Sequence, residues 1–273
     1  MTYIDVTDVR NRSGAPDTLI TDSTINSLIE IVEKDVEKWL NTKFTPTEEI
    51  DMIDGNNTYR IFTKRGPLLS VRELVINGDE QIEPKDLVWS KAMTIKLVNS
   101  GSKSTFIGGT NNTYIRYLYG RLQRTESKSK LSSDSSIGKS ENIEVDNASD
   151  FEVNDWVDIY GTDGHIEAAQ ITNISGTTLT MDELVKTHTE GSIVVKLDIP
   201  EYIKDYMAIE AALAVAINSV GSTYKFNASY GLGDLNVTKG VPYTHWRESV
   251  VRLLEERKLR RNTIYPTFSI VTG

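Results

Sequence analysis

The spacing of hydrophobic residues follows a helical period near both ends of the chain and a strand period in between. Near the start, hydrophobic residues recur every three or four positions, which predicts an amphipathic helix from about 23 to 41. Asp22 or Ser23 can cap its first turn. The buried stripe of this helix is expected to consist of Ile25, Leu28, Ile29, Val32, Val36, Trp39 and Leu40.

Between 48 and 121, hydrophobic residues alternate with polar ones in short runs. Turn-forming pairs separate these runs, namely Asp54-Gly55, Asn77-Gly78 and Gly108-Gly109. A period of two is typical of half-buried strands. The pattern predicts an antiparallel sheet of short strands, about four to six in number.

A second alternating block, from 125 to 197, is rich in serine and threonine. It opens with a polar stretch from 127 to 140, whose low-complexity composition predicts a flexible linker. The remainder, about 60 residues with about five short strands, has the size of a small β-barrel or sandwich. A barrel is favoured because closure removes exposed strand edges. We therefore expect 125–197 to be an inserted all-β, barrel-like domain.

The helical period returns after this insert. A nearly continuous apolar surface predicts a second helix from about 201 to 218, and its alanines favour close helix–helix packing. A glycine- and asparagine-rich loop leads to a third predicted helix from about 243 to 261, whose last turn is basic. The predicted fold class is therefore α+β, with a small helical bundle packed with short antiparallel strands and the inserted β domain.

The segment from 263 to 273 is extended, contains proline and is unusually apolar. It can fold back on the chain's own sheet, or it can act as an arm that adds a strand to a partner by β-augmentation. The arm is favoured, because the basic turn before it suits an acidic partner surface.

Charge and composition narrow the function classes. A net charge of −9 over 273 residues argues against a general nucleic-acid binder, which would carry a basic face. The absence of cysteine excludes disulfides and thiolate chemistry. The first residues lack the apolar segment of a signal peptide, and the run 208–220 is too short to span a bilayer. We expect a protein that is made in a cytoplasm and binds no membrane.

The sequence contains no pattern for catalysis or cofactor binding. His165, His188 and His245 are far apart and lack metal-ligand spacing, so packing or surface roles are expected for them. Neighbouring acids such as Glu48 and Glu49 are expected to be charged strand flanks rather than an acid–base pair. The expectation is a protein that is not an enzyme and that has no catalytic residue, cofactor or metal.

Four segments resemble the head–tail connector (adaptor) proteins of tailed bacteriophages. They are TDSTINSLIEIVEKDVEKWLNTKF, RIFTKRGPLLSVRELVING, YIRYLYG and DIPEYIKDYMAIEAALAVAI. The shared features are an amphipathic helix, a turn with Pro67, Leu68 and Val71, a strand that ends at Tyr119-Gly120, and an alanine-rich helix led by Pro200.

The resemblance covers roughly 20–124 and 198–260, and the insert departs from it. Typical connectors run from the aromatic-glycine strand end to the proline-led helix almost directly. The insert instead looks like β modules of phage tail and connector proteins, on the segment SSIGKSENIEVDNASDFEVNDWVDI and the strands after it. The implied domains are a connector core of 1–124 and 198–262, the insert 125–197, and an extended arm 263–273.

The resemblance implies a structural protein of the virion, located at the head–tail interface. About 12 copies would form a ring beneath the portal protein, extend the DNA channel and dock the tail or a stopper protein. DNA would pass through the channel without sequence-specific binding.

The resemblance also implies two sets of contact residues. The third helix and the arm would bind the portal through Arg260, Arg261, Ile264, Tyr265, Phe268, Ile270 and Val271. Subunits would pack through the alanine-rich helix, at Ala208, Ala211, Ala212 and Val215.

Two other functions stay open. A tail or surface-associated binding module would use the β insert to contact carbohydrate, capsid or tail, with Trp156 and Tyr160 as candidate aromatic residues. An enzyme would require a pocket with converging titratable groups.

Overall fold

The computed structural model describes residues 3–15, 20–78, 80–82, 87–90, 93–98, 105–228 and 242–264. The chain divides into two compact units. The helical unit is Met1–Leu40 with Ile199–Gly273, and the β unit is Asn41–Asp198. The two flanking parts of the chain thus contribute to one unit, and the β unit lies between them in sequence.

The described part of the helical unit is built from four helices, which are α1 Val6–Ser13, α2 Asp22–Leu40, α3 Glu201–Ala228 and α4 Pro242–Ile264. α3 contacts each of the other three. The helices predicted at 23–41 and 243–261 correspond to α2 and α4, whereas α3 continues past its predicted end at 218. Periodicity underestimates α3 because packing against neighbouring helices, here including α4, extends a helix beyond its apolar stripe.

The short helix α1 has few hydrophobic positions, so the spacing of residues does not predict it. Its ends are capped instead. The carboxylate of Asp5 accepts a hydrogen bond from the N–H of Thr7 at 2.7 Å. Gly14 follows the helix with a φ of 69° and donates its N–H to the carbonyl of Arg10 at 2.9 Å. A left-handed residue after the last turn favours glycine, which explains where α1 ends.

The first part of the β unit contains two antiparallel sheets where one was predicted. One has four strands, Thr47–Gly55 (β1), Leu68–Ile76 (β3), Glu80–Gln81 (β4) and Gly109–Tyr119 (β7), in the order β1-β7-β3-β4. The other has three strands, Arg60–Phe62 (β2), Leu87–Ser90 (β5) and Thr94–Leu97 (β6), in the order β2-β6-β5. Leu74, Leu87 and Ile115, from strands of both sheets, are buried in one shared apolar core.

The insert is a second antiparallel structure with its own apolar core, which includes Val157, Ile171 and Leu179. Its strands are Gln123–Lys130 (β8), Gly138–Lys139 (β9), Asn142–Glu144 (β10), Trp156–Tyr160 (β11), Ile166–Ser175 (β12), Thr178–Met181 (β13), Glu183–Leu184 (β14) and Ile193–Asp198 (β15). Six of them form one sheet in the order β10-β13-β12-β11-β15-β8, and β9 pairs with β14.

The insert is not the closed barrel that the sequence predicts, because β10 and β8 remain the two edges of the six-stranded sheet. These edges meet just beyond the strands, at an isolated bridge between Leu131 and Val145. Hydrogen bonds at 2.9 Å flank the bridge, from Ser132 N–H to Glu144 O and from Asp146 N–H to Lys130 O. A three-residue β10 is too short to continue the pairing along β8, so the sheet stays open.

The predicted flexible linker at 127–140 is also wrong in its first part. Its beginning belongs to β8, which pairs along β15. Farther on, Ser135 is buried, and its hydroxyl accepts a hydrogen bond from the N–H of His188 at 2.9 Å. Polar composition is misleading here, because a strand at the edge of a sheet can be polar while its backbone is fully paired on one side.

The boundary between the compact units does not coincide with the predicted domain boundary near 124. The first sheets were expected to join the helices in one core, with the insert apart. The β unit contains both the first sheets and the insert, and the division into a connector core, an insert and an arm stays a prediction. Ion pairs join β3 and β7 to Asp182 and Glu183 of the insert, and β3 also contacts β12.

Within the first sheets, the hydroxyl of Tyr117 is a buried hydrogen-bond centre. It donates to the carboxylate of Asp51 at 2.8 Å and accepts from the N–H of Arg65 at 3.2 Å. The same carboxylate oxygen of Asp51 accepts from the N–H of Lys64 at 2.9 Å. Burial, together with the hydrogen bond to Asp51, raises the pKa of Tyr117 above its ordinary value. The hydroxyl thus stays protonated and satisfies a buried carboxylate.

We predict that Tyr117→Phe lowers the free energy of unfolding by about 1–3 kcal/mol, because the buried carboxylate of Asp51 and the half-buried N–H of Arg65 each lose a partner. Urea unfolding of both variants measures this. The control is Tyr114→Phe on the same strand, since its hydroxyl makes no hydrogen bond within the described ranges. Equal unfolding midpoints for the two variants would contradict the assignment.

Candidate functional site

A cleft of about 480 Å³ lies within the β unit, between the four-stranded sheet and the insert. We call it the sheet–insert cleft. Arg72, Leu184 and Lys186 line it as buried residues, whereas Ile137 and Lys139 line it as exposed ones. The lining is completed by Glu73, Arg116, Gly138, Asp163, His165, Glu183, Val185 and Thr187. Charged groups from five different segments therefore converge on one cavity.

The guanidinium of Arg72 is the most deeply buried charge of the cleft, with a side chain only 2% exposed. It donates to the backbone carbonyl of Glu183 at 2.7 Å and to the carboxylate of Asp182 at 3.0 Å. Asp182 also accepts from the N–H of Gln170 at 2.8 Å. The Nε of Arg72 is buried and has no hydrogen-bond partner among the described residues. Arg72 thus attaches β3 to the insert while keeping one donor unpaired.

Arg116, which lies in β7, forms an ion pair with the side chain of Glu183. Its guanidinium makes two parallel bonds to the Glu183 carboxylate, at 2.9 and 3.1 Å, and a third to Glu48 at 3.0 Å. The hydrogen bond to Glu183 raises the pKa of Arg116 further above its ordinary value. Burial alone would raise the pKa of Glu183, but the hydrogen bond and charge of Arg116 and the charge of Arg72 outweigh it and lower that pKa. Glu183 is therefore a shared anion between two arginines.

Lys186 is a buried cation, only 5% exposed. Its ammonium lies 4.0 Å from the centroid of the Trp89 ring. The indole N–H of Trp89 in turn donates to the carbonyl of Leu69 at 3.2 Å, which fixes the ring. Burial lowers the pKa of Lys186 to about 8, although the charges of Glu167 and Asp163 act in the opposite direction. A cation–π contact replaces part of the lost hydration.

Glu167 holds the chain segment around Lys186 in place. Its fully buried carboxylate accepts from the N–H of Val185 at 2.6 Å, from the N–H of Lys186 at 3.0 Å, and lies 3.1 Å from Nε2 of His188. The Nδ1 of His188 is buried without a hydrogen-bond partner in the part of the chain that the structure describes. His188 therefore has a packing role beside the cleft.

His165 lies on the cleft wall and is fastened by its neighbour Asp163. Its Nδ1 is 2.7 Å from the Asp163 carboxylate, and its N–H donates to the same carboxylate at 3.0 Å. Burial would raise the pKa of Asp163, but the hydrogen bonds from His165 lower it overall. Across the described ranges, no three His, Asp or Glu side chains are grouped so as to hold a metal ion.

The basic residues expected to bind a portal are engaged inside the helical unit. Arg260 pairs with Asp205 at 2.7 Å, and Arg261 lies 5.4 Å from the centroid of the Trp39 ring. Ile264 is the last residue of α4. The other predicted portal-binding residues, Tyr265, Phe268, Ile270 and Val271, lie outside the described residues. A portal contact through this region stays a prediction.

The residues expected to pack subunits together are buried by the chain itself. Ala208, Ala211, Ala212 and Val215 are each at most 1% exposed, within a helix that contacts α1, α2 and α4. Their use between subunits stays a prediction, and it would require α3 to separate from a helix of its own unit. Apolar side chains of this unit that do reach solvent are Ile31, Ile217, Val251, Leu254 and Leu259.

Sequence reasoning missed the residues of the sheet–insert cleft. Arg72 and its partner Glu183 are 111 positions apart, and Arg116 and Glu183 are 67 apart. Each residue taken alone is an ordinary charged residue in or beside a strand. The adjacent acids Asp182 and Glu183 indicate a charged site, but they do not indicate which residues pair with them.

No protein-family model matches the chain, and no curated protein matches it. Among solved structures, the chain has a likeness to the Gp54 tailspike of Acinetobacter baumannii bacteriophage AP22 in complex with A. baumannii capsular saccharide. The two are 19% identical over 28% of this chain and 15% of the tailspike chain, with a TM-score of 0.24. A likeness this limited carries no argument about fold or function. None of the described helices is sufficiently long and apolar to cross a membrane.

We predict that Glu183→Gln lowers the free energy of unfolding by about 2–4 kcal/mol, because it leaves two partly buried guanidinium groups short of an anion. Since the folded-state pKa of Glu183 is lowered, its stabilisation is present above the unfolded pKa of about 4.3 and is lost as the pH falls further. Urea unfolding at pH 7 and pH 3 measures both effects. The control is Glu190→Gln, an exposed turn residue. A cost that is equal at the two pH values would contradict this account.

A second prediction concerns Lys186→Met, which removes a buried cation without a large change of volume. Between pH 8 and the unfolded pKa of about 10.4, the unfolded lysine binds a proton that the folded lysine has released. The stability of the native protein relative to the variant should therefore rise over this interval, by up to about 3 kcal/mol. Urea unfolding from pH 7.5 to 10 measures the difference, with the exposed Lys128→Met as control. Parallel stability curves for all three proteins would refute the low pKa of Lys186.

Proposed function

We propose that the chain is a structural head–tail adaptor of a tailed-phage virion, which forms a ring under the portal, extends the DNA channel and docks the tail or stopper protein. The support comes from the segments that resemble connector proteins, and one contact between them carries the argument. Leu68, in the proline-led turn, is paired with Tyr119 at the aromatic-glycine strand end. The N–H of Gly120 donates to the carbonyl of Pro67 at 3.0 Å.

Steric crowding explains why a glycine occupies position 120. A Cβ at position 120 would lie 3.2 Å from the Cα of Pro46 and 3.3 Å from a methyl carbon of Leu69. Two motifs that are more than 50 positions apart in sequence therefore form one tightly packed corner of the four-stranded sheet. The contact between the two motifs is the observation that supports the adaptor proposal.

The surface also suits an assembly protein. A closed ring requires two different faces of each subunit to contact each other. Large apolar side chains are exposed on both units, for example Leu259 at 69% in the helical unit and Phe62 at 58% in the β unit. Exposed apolar groups of this kind are buried when subunits associate. The net charge of −9 would keep DNA from adhering to the channel wall.

In this proposal the arm that follows α4 carries the portal contact. Arg260 and Arg261 hold the last turns of α4 against Asp205 and Trp39, so they fix the point from which the arm departs. The Arg260 side chain is still 46% exposed and can meet an acidic portal residue as well. The apolar residues of the arm would then supply the larger part of the binding energy.

The alternative function, a tail or surface-associated binding module, is favoured by the sheet–insert cleft. The cleft places charged groups and apolar wall residues around a cavity of ligand size. The aromatic residues expected to act in such a module are less available. The guanidinium of Arg124 lies 4.0 Å from the Tyr160 ring centroid and covers that ring. Trp156 is half-buried in β11.

We predict that the chain forms a stable complex with the portal protein of the same phage and that the complex depends on the arm. Size-exclusion chromatography with light scattering measures the mass of the chain alone and mixed with the portal. A triple variant, Tyr265→Ser, Phe268→Ser and Ile270→Ser, should abolish the complex. Its matched control, Thr267→Ser and Thr272→Ser in the same arm, should leave the complex intact.

The outcomes separate two parts of the proposal. A chain that stays monomeric and never binds the portal overturns the adaptor function. A triple variant that still binds the portal overturns only the role of the arm. Thermal unfolding of every variant is measured beside the binding, so that a lost complex counts against the arm only where the native unfolding temperature is kept.

A further inference from the structure

The hydrogen-bonding capacity of the sheet–insert cleft is unbalanced. The carboxylates of two acidic lining residues are already engaged. Glu183 binds Arg116 through both of its oxygens and lies 3.3 Å from Arg72. Asp163 has one oxygen on the N–H of His165 and the other near its Nδ1. Both carboxylates therefore already have protein partners.

The third carboxylate of the lining, that of Glu73, also has a partner, since it lies 3.5 Å from the Nε of Arg116. The lining also contains donors that have no acceptor. The ammonium groups of Lys186 and Lys139 make no hydrogen bond and no ion pair with any described residue. Arg72 adds a buried Nε–H without a partner in the described ranges. Lys186 and Arg72 are each 5% exposed, so water can satisfy their free donors only from inside the cleft. A buried donor without a partner costs roughly 1–3 kcal/mol, which an acceptor ligand would offset.

We propose that the sheet–insert cleft binds a small ligand through an oxyanion group, a carboxylate or a phosphate. Lys186 at the buried end and Lys139 at the exposed end are the ligand-binding cations, since neither ammonium makes an ion pair or a hydrogen bond with a carboxylate in the described ranges. Arg116 and Glu183 fix the wall between them and do not bind the ligand. This assignment goes beyond the adaptor function and does not depend on it.

The size and composition of the cavity define the ligand class further. A volume of about 480 Å³ is in the range of small-molecule sites and holds a ligand the size of a sugar acid. Leu184 and Ile137 provide apolar surface on which a ring can lie. Four cationic side chains are balanced by three carboxylates in the lining, so a single anionic group is favoured over a long polyanion.

The test uses the full chain and isothermal titration calorimetry with three probes, which are inorganic phosphate, glucuronate and glucose. Phosphate or glucuronate should bind in the millimolar range or tighter, and glucose should not. Binding of both anions identifies a general oxyanion site, whereas binding of one identifies the source of the anion. Either result supports the proposal. The absence of binding by both anions at about 50 mM, which is roughly fiftyfold above a dissociation constant of about 1 mM, overturns it.

Variants locate the binding. Lys139→Gln and Lys186→Met should each weaken anion binding at least tenfold, whereas Lys128→Gln, on an exposed part of β8, should leave it unchanged. Lys139 is exposed and makes no described contact that folding requires, so its variant remains informative even where Lys186→Met is less stable. Anion binding that neither variant changes overturns the assignment to this cleft.

Discussion

The buried guanidinium of Arg72 is the constraint on which the β unit depends. A charge this deep in the protein is tolerated only when anions and carbonyl oxygens replace its water. Asp182 and Glu183 supply them, and both belong to the insert. The first sheets and the insert have separate apolar cores, so the ion pairs fix their relative position where hydrophobic packing alone would leave it loosely defined. The ion pairs therefore act together with the contact of β3 with β12 and that of Lys186 with Trp89 to join the two parts of the β unit.

The same constraint explains the chemical character of the sheet–insert cleft. The two arginines occupy the oxygen atoms of Glu183, and His165 occupies those of Asp163. What remains around the cavity is a surplus of donors, at Lys186 and Lys139. The network that attaches the insert thus also determines which ligands the cavity can accept. The same charged residues attach the insert and leave the donors of the cleft free. A substitution at Glu183 should therefore change both the stability of the β unit and anion binding in the cleft.

The periodicity of hydrophobic residues predicts which face of a helix or strand is buried. The stripe of Ile25, Ile29 and Val36 predicts α2 correctly because all three side chains are buried on one face of the helix. Periodicity contains no information about partners. It therefore predicts neither the pairing of Arg72 with residues more than 100 positions away nor the open sheet of the insert, which depends on the short length of β10. The short helix α1 was missed because its caps, and not its hydrophobic residues, define it.

The burial of the alanines of α3 within the chain argues against their use as the contact between subunits. Alanines permit close approach of helices, and in α3 this approach is already used within the chain. A ring that buried the same side chains again would have to open the helical unit, at the cost of the core around Ala211 and Val215. Contacts through side chains that are already exposed, such as Leu259 and Ile217, require no such opening. A preformed helical unit that associates through its exposed apolar residues is therefore the assembly route with the smaller energetic cost.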